Sequence, residues 1–153
     1  MALPGIDFSQ NLSLFTVPVA FALCILPHVY AVWLVGMSAY DNANPRQYRD
    51  MLARDTSIDK ERKLRILRAE AASLNGLETI GLFAASVLAG NYAALDAATL
   101  NHLSFGYLLL RAAYTLTYVL VRNRRYSVLR TAIWQLASVY MACFWVKAGL
   151  KLM

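Results

Sequence analysis

A single carboxylate interrupts one of the long apolar stretches of this sequence. Glu78 is the one charged residue within residues 71–89. On a helix, Asn75 and Glu78 lie roughly 20° and 80° from Arg68, so the three polar side chains share one face. An unpaired charge in hydrocarbon costs at least about 2.5 to 3.5 kcal/mol. The pattern therefore predicts a partner for Glu78 and a functional role for this face.

A second set of polar residues has a similar helical spacing. Arg111, Tyr114 and Tyr118 follow one another at i, i+3 and i+7, within a sector of about 60°. Because Glu78 and Arg111 are each the charge nearest the centre of an apolar stretch, we expect them to form an ion pair. Two interpretations stay open. Either the pair and its neighbours line a chemical site, or they only fasten two helices together, a common use of polar side chains in membranes.

The composition is that of an integral membrane protein. The chain has 153 residues, of which 59% are hydrophobic and 16% charged, and its mean hydropathy is positive. A helix needs about 20 mostly apolar residues to cross a bilayer. We therefore predict an all-α, integral membrane four-helix bundle that forms one domain over residues 1–153. The predicted spans are residues 14–39, 71–89, 103–121 and 128–150.

Basic residues are concentrated in two of the predicted connections. Eight lie within residues 41–68 and four within residues 122–130, so these segments hold twelve of the fifteen lysines and arginines. The positive-inside rule places both segments in the cytosol and both termini on the lumenal side. This distribution explains the net charge of +6 without nucleic acid. No recognition motif accompanies the charge, and we predict no nucleic-acid partner.

The cysteines and histidines do not form a metal or redox motif. Cys24 and Cys143 fall inside predicted spans, where free cysteine behaves as a small hydrophobic residue. His28 and His102 are far apart in the sequence and lack companions at ligand spacing, so no metal site is predicted. His28 follows Pro27 and is interpreted as an interior hydrogen-bonded histidine or as a ligand contact.

The polar residues belong to a longer composite motif. In chain order it consists of R-A-E-A-A-S-L-N-G-L-E at residues 68–78, Phe83, L-R-A-A-Y at 110–114, Tyr118, L-R-T at 129–131 and Trp134. This composite resembles the MAPEG family, the membrane-associated proteins in eicosanoid and glutathione metabolism. The resemblance covers residues 68–153 by motif and the whole chain by size and charge topology. Residues 41–46 resemble the fungal branch, and the chain is similar to microsomal glutathione transferases.

The resemblance implies a glutathione site. Members of the family are trimers whose second helices meet near the three-fold axis, and each site lies at a subunit interface that opens toward the cytosol. By resemblance, Arg130 faces the glutathione thiol, Thr131 donates a hydrogen bond to the sulfur, and Tyr118 is a third catalytic candidate. The other implied glutathione contacts, together with Tyr118, are Arg68, Asn75, Glu78, Arg111 and Tyr114.

The chain departs from the family pattern at the end of the first helix. Members place a basic residue near this end, whereas residues 35–41 here read V-G-M-S-A-Y-D. We expect Arg46 to bind glutathione from the loop instead. In the third loop, the L-R-T context favours Arg130 over Arg125 as the arginine at the thiol. Trp134 and Trp145 are interpreted as packing or lipid-contact residues.

The leading functional prediction is a glutathione-dependent membrane transferase or peroxidase of the endoplasmic reticulum. It would act on lipophilic electrophiles through an arginine-stabilised thiolate. One alternative is a glutathione-independent isomerase or cyclase of a lipophilic metabolite, with Glu78 or Tyr118 transferring protons. The other is a non-catalytic lipid-binding partner protein. The predicted partners are copies of this chain in a homotrimer, membrane lipids and a lipophilic small molecule.

Overall fold

The regular structure of this chain is helical wherever it is described. The computed structural model describes residues 7–36, 40, 43–44, 48–123 and 126–153, with the backbone alone at 48 and 49. The all-α prediction is confirmed. The described residues form five helices, and the one added to the four predicted spans is a seven-residue helix within the first loop. The helices are α1 (Ser13–Val35), α2 (Tyr48–Arg54), α3 (Lys60–Tyr92), α4 (Ala97–Leu120) and α5 (Ser127–Leu152).

Three of these helices, α1, α3 and α4, are long and apolar enough to cross a membrane. Their number and length confirm the prediction of an integral membrane protein. The fourth predicted span, residues 128–150, lies within α5 and stays a prediction. The 33 residues of α3 correspond to about 50 Å of helix. Because a hydrocarbon core is about 30 Å thick, the charged first turns of α3 extend beyond it.

Aspartate side chains begin two of the long helices. Asp59 accepts a 3.0 Å hydrogen bond from the Arg62 backbone at the start of α3. Asp96 accepts a 2.8 Å bond from the Thr99 backbone at the start of α4, and this bond holds the pKa of Asp96 below its ordinary value of 3.8. Both aspartates satisfy backbone N–H groups that the first helical turn leaves unpaired.

The long helices share a core in two parts. One part joins α3, α4 and α5, where the rings of Phe83 and Tyr107 stack with centroids 3.9 Å apart. The other lies nearer the basic connections and holds Ile66 of α3 and Val119 of α4. Leu52 of α2 is buried in this second part and Met51 packs against it, so two apolar side chains anchor the short helix to the bundle.

The most extensive contact between two helices is that of α1 with α3. Gly76 allows the two helices to approach each other closely. A Cβ atom added at Gly76 would lie 2.8 Å from Cys24 Sγ and 3.1 Å from Cys24 Cα. Small residues allow membrane helices to approach closely in this way. Nδ1 of His28 in α1 also lies 2.8 Å from Oε1 of Glu70 in α3. These contacts fix the rotation of α3 and decide which of its side chains face the bundle.

We expect Gly76→Ala to destabilise the protein, because the added methyl group overlaps both the side chain and the backbone of Cys24. Overpacking of this kind costs about 1 to 3 kcal/mol. The thermal unfolding midpoint of detergent-purified protein measures the effect. Gly149→Ala is the matched control, since its added Cβ would meet nothing within 4 Å. Equal midpoints for the two variants would contradict the close contact of α1 and α3.

Candidate functional site

A polar cavity lies where α3, α4 and α5 meet. Its volume is about 240 Å³. Five of the residues predicted from the sequence as site residues line it, and they come from three helices that are distant along the chain. Trp134, interpreted from the sequence as a packing or lipid-contact residue, lines the cavity with them. The lining residues are Asn75, Tyr114, Tyr118, Arg130, Thr131 and Trp134.

Arg111 lies behind this lining as a buried cation. Its side chain belongs to α4 and the residue is 5% exposed. The guanidinium donates a 3.1 Å hydrogen bond from Nη1 to Asn75 Oδ1. It also lies over the ring of Tyr114, with 4.8 Å between Cζ and the ring centroid. Such a cation–π contact contributes about 0.5 to 2 kcal/mol, depending on desolvation. Neither contact neutralises the charge of Arg111.

Glu78 does not provide the expected counter-charge. Among the described residues the ion pairs are His28–Glu70 and Glu61–Arg122, so the prediction of a Glu78–Arg111 pair is wrong. The Glu78 side chain is exposed. Gly76 packs against α1, and Glu78 lies about 200° around the helix from it. Asn75, about 100° from Gly76 in the other direction, is the residue of α3 that reaches Arg111.

Arg130 and the two tyrosines form a continuous row across the cavity. The guanidinium of Arg130 lies over the Tyr118 ring, with 4.4 Å from Cζ to the centroid. The Tyr118 ring meets the Tyr114 ring edge to face at 5.5 Å. Tyr114 in turn contacts Arg111. The ring of Tyr118 therefore positions Arg130, at the beginning of α5, in the cavity wall. Arg111 lies behind the same wall, in contact with Tyr114.

Arg68 has a different environment from the residues that line the cavity. Its Nε donates a 3.1 Å hydrogen bond to the carbonyl of Val119, near the end of α4. Its Nη2 is buried and has no hydrogen-bond partner within the described part of the chain. An unsatisfied buried donor of this kind usually has a ligand, water or ion as its partner. Arg46 and Arg125, two further arginines considered from the sequence, lie outside the described residues.

Trp134 is the residue of this cavity that sequence reasoning missed. It follows Arg130 by four positions and Thr131 by three, so all three lie on one face of α5. That spacing alone indicates that Trp134 lies beside the two predicted site residues of α5. An apolar ring beside an arginine gives the cavity both a flat hydrophobic wall and a charge, a combination typical of small-molecule sites.

The electrostatics of the site favour an anionic ligand. Arg111 is buried, Arg130 lines the cavity, and in the part of the chain that the structure describes neither has a carboxylate within ion-pair distance. A desolvated cation without a counter-charge is costly, so a bound anion lowers the free energy of the site. A weak acid placed beside these cations is shifted toward its ionised form. The arrangement can therefore bind an anion and stabilise a conjugate base.

The comparison with protein families identifies the class of this protein. The model of the MAPEG family matches residues 15–150, nearly the whole chain, so this protein belongs to the MAPEG family. The family includes glutathione transferases, peroxidases and enzymes of eicosanoid synthesis. Its members are embedded in membranes and are typically trimeric. No curated protein and no solved structure matches the chain.

We expect substitutions of Asn75 to test the state of Arg111 through stability. Asn75→Leu removes the acceptor and leaves the guanidinium buried without its hydrogen bond, which costs about 1 to 3 kcal/mol. Asn75→Asp places a carboxylate at the same position and neutralises the cation, so it retains or raises the thermal midpoint in detergent. Equal loss of stability in both variants would show that the buried charge of Arg111 does not determine their stability.

Proposed function

We propose that this protein is a glutathione-dependent membrane enzyme, a transferase or peroxidase that acts on lipophilic electrophiles. The observation that carries the proposal is the buried guanidinium of Arg111, which has no counter-charge in the described chain. It lies behind Asn75 and Tyr114, two residues that line the cavity together with Arg130. Family membership supports glutathione as the ligand, since MAPEG proteins generally use it as a cosubstrate or activator.

The charges of glutathione match this site. The tripeptide carries two carboxylates and one ammonium group. Arginines bind carboxylates through two parallel hydrogen bonds, which gives both affinity and orientation. Arg111, behind the cavity lining, and Arg68, whose Nη2 lacks a partner among the described residues, are the donors that we propose for the carboxylates. Asn75, Tyr114 and Tyr118 add neutral hydrogen-bonding groups, and Glu78 supplies the one carboxylate that matches the ammonium.

Arg130 is the residue we assign to the thiol. A free thiol has a pKa of about 8.5 and is mostly protonated at neutral pH. A guanidinium beside the sulfur favours the thiolate, and each unit of pKa corresponds to about 1.4 kcal/mol. Thr131, adjacent on α5, supplies a hydroxyl donor to the same sulfur. Tyr118 holds the Arg130 side chain in place through its ring. The thiolate supplies the nucleophile for an electrophilic carbon or a peroxide.

A second copy of the chain completes the site in this proposal. The 240 Å³ cavity of one chain is smaller than the roughly 300 to 1,000 Å³ of most ligand pockets. Glu78 lies on an exposed stripe of α3 together with Leu77, Gly81 and Leu82. A carboxylate on such a stripe is costly in lipid but acceptable against a polar neighbour. We propose that the α3 stripes meet in a homotrimer, as is typical of the family.

The proposed orientation places the site toward the cytosol. Residues 41–68 and 122–130 carry most of the basic side chains, and the positive-inside rule puts them on the cytosolic side with both termini in the lumen. In this arrangement α5 is the fourth span, and Arg130 in its first turn lies near the cytosolic boundary. Soluble glutathione then enters from the cytosol and the electrophile from the bilayer. We propose the endoplasmic reticulum as the compartment and a microsomal transferase of the fungal branch as the type.

We expect calorimetry on detergent-purified protein to detect glutathione binding, with a thiolate signal in the ultraviolet spectrum. Arg130→Ala should lower the thiolate fraction by about tenfold, because one unit of pKa is a factor of ten. Arg130→Lys should retain part of the signal, since it keeps the charge but loses the planar geometry. Arg122→Ala is the matched control, because that exposed arginine pairs with Glu61 and does not line the cavity.

Asn75→Asp provides the complementary arm of this experiment. It neutralises Arg111 without removing any arginine, so glutathione affinity should fall although the protein keeps its thermal midpoint. No binding by correctly assembled wild-type protein would overturn the proposal and redirect attention to acid–base chemistry on a lipophilic metabolite. Binding without turnover of any electrophile would instead favour a non-catalytic lipid-binding role.

We expect Glu78→Leu to weaken the oligomer. If Glu78 faces a polar group of another copy, the substitution leaves that group unpaired and trimers dissociate; if Glu78 faces lipid, removal of the charge stabilises the protein. The oligomer distribution by native mass spectrometry, together with the thermal midpoint, distinguishes the two signs. Leu109→Ala is the control, because Leu109 is 73% exposed on α4, outside the α3 stripe.

A further inference from the structure

A second polar cavity lies at the end of α1, outside the site described above. Its volume is about 440 Å³. It lies between the last turn of α1 and the first turns of α3, which is the cytosolic boundary of the bilayer in the proposed orientation. Its lining combines two arginines, two carboxylates and an exposed indole. The lining residues are Trp33, Leu34, Asp59, Glu61, Arg62 and Arg65.

The contacts of these side chains leave charges of both signs open to a ligand. Arg62 donates a 2.8 Å hydrogen bond from Nε to the Leu34 carbonyl, and its terminal nitrogens have no ion-pair partner among the described residues. Arg65 has no hydrogen-bond or ion-pair partner among the described residues. Glu61 uses Oε2 to bind Arg122, and Asp59 uses Oδ1 to begin α3. Each carboxylate therefore retains a second oxygen as an acceptor.

A separate apolar groove is lined by residues of α1 that precede Trp33 and Leu34 in the chain. The groove has a volume of about 460 Å³ and runs between α1 and α4. Tyr30 lines the groove, and its ring stacks on that of Trp33 with 6.0 Å between centroids. Trp33 lines the polar cavity and is 68% exposed. Indole rings favour the headgroup level of a bilayer. This aromatic pair therefore brings the lining of the cavity into contact with the lining of the groove.

The geometry points to a binding site for a glycerophospholipid with a zwitterionic, primary-amine headgroup, the chemistry of phosphatidylethanolamine. The phosphate binds Arg65 and the terminal nitrogens of Arg62, through charge-assisted hydrogen bonds. The ammonium donates to the remaining oxygens of Glu61 and Asp59. One acyl chain lies in the groove of α1 and α4, where its burial is favourable.

The charge pattern selects this lipid over other classes. An anionic headgroup without an amine gains the arginines but is repelled by Asp59 and Glu61. A choline headgroup carries the same net charge but has no N–H donor for the two carboxylates. Both cavities also have volumes within the range of about 300 to 1,000 Å³ for ligand pockets. The site shares no lining residue with the cavity of Arg130, so it is independent of glutathione.

Native mass spectrometry of the detergent-purified protein tests this inference. The probe is an equimolar mixture of phosphatidylethanolamine, phosphatidylcholine and phosphatidylglycerol with identical acyl chains. We expect wild-type protein to retain phosphatidylethanolamine preferentially and Arg65→Ala to retain about tenfold less, as loss of one charge-assisted hydrogen bond predicts. Arg54→Ala is the matched control, since Arg54 is an exposed basic residue at the end of α2 and does not line the cavity.

Two further arms separate the headgroup from the chain. Glu61→Gln should reduce the preference for phosphatidylethanolamine over phosphatidylcholine while leaving total phospholipid retention nearly unchanged. Soluble phosphoethanolamine should compete poorly, because it lacks the chain that fills the groove. Equal retention by wild type and Arg65→Ala, preference for phosphatidylglycerol, or protection of Trp33 by a second copy without lipid would each overturn the inference. Glutathione binding plays no part in these readouts, so their failure leaves the proposed function intact.

Discussion

A buried guanidinium without a counter-charge is the constraint that gives this bundle its chemical character. Arg111 is almost fully enclosed, and its contacts within the described chain are an amide oxygen and an aromatic ring. The amide oxygen accepts one hydrogen bond and the aromatic ring attracts the cation, but neither group carries a negative charge that would neutralise it. Desolvation makes that charge costly, and a nearby anion lowers its free energy. In the proposed function, ligand binding at this point of the fold would therefore also raise the stability of the protein.

The cavity depends in turn on how α3 is rotated against α1. Gly76 allows Cys24 to approach so closely that no other residue fits without movement. That contact turns Asn75 toward Arg111 and turns Glu78 away from the bundle. The small size of Gly76 thus determines the positions of two polar side chains that are three residues apart. Asn75 contacts Arg111 inside the chain, whereas Glu78 is exposed.

The membrane environment determines how two exposed residues, Glu78 on α3 and Trp33 near the end of α1, are interpreted. In water, an exposed glutamate on α3 and an exposed tryptophan at the end of α1 would be ordinary surface residues. In a bilayer, the glutamate requires a polar neighbour and the tryptophan marks the headgroup level. In the proposed function, the position of the candidate site near the basic connections lets a water-soluble ligand meet a lipid-soluble one.

Much about this protein was determined by its sequence alone. Hydropathy predicted the membrane and the helical class, and the motif from Arg68 to Trp134 predicted the family, because periodicity and composition are local properties of a chain. The partner of Arg111, the outward position of Glu78 and the place of Trp134 in the cavity were decided only by tertiary structure. They depend on helix rotation, and rotation follows from close packing between residues distant in sequence, such as Gly76 and Cys24. Helical spacing shows which residues share a face, but only packing shows what that face meets.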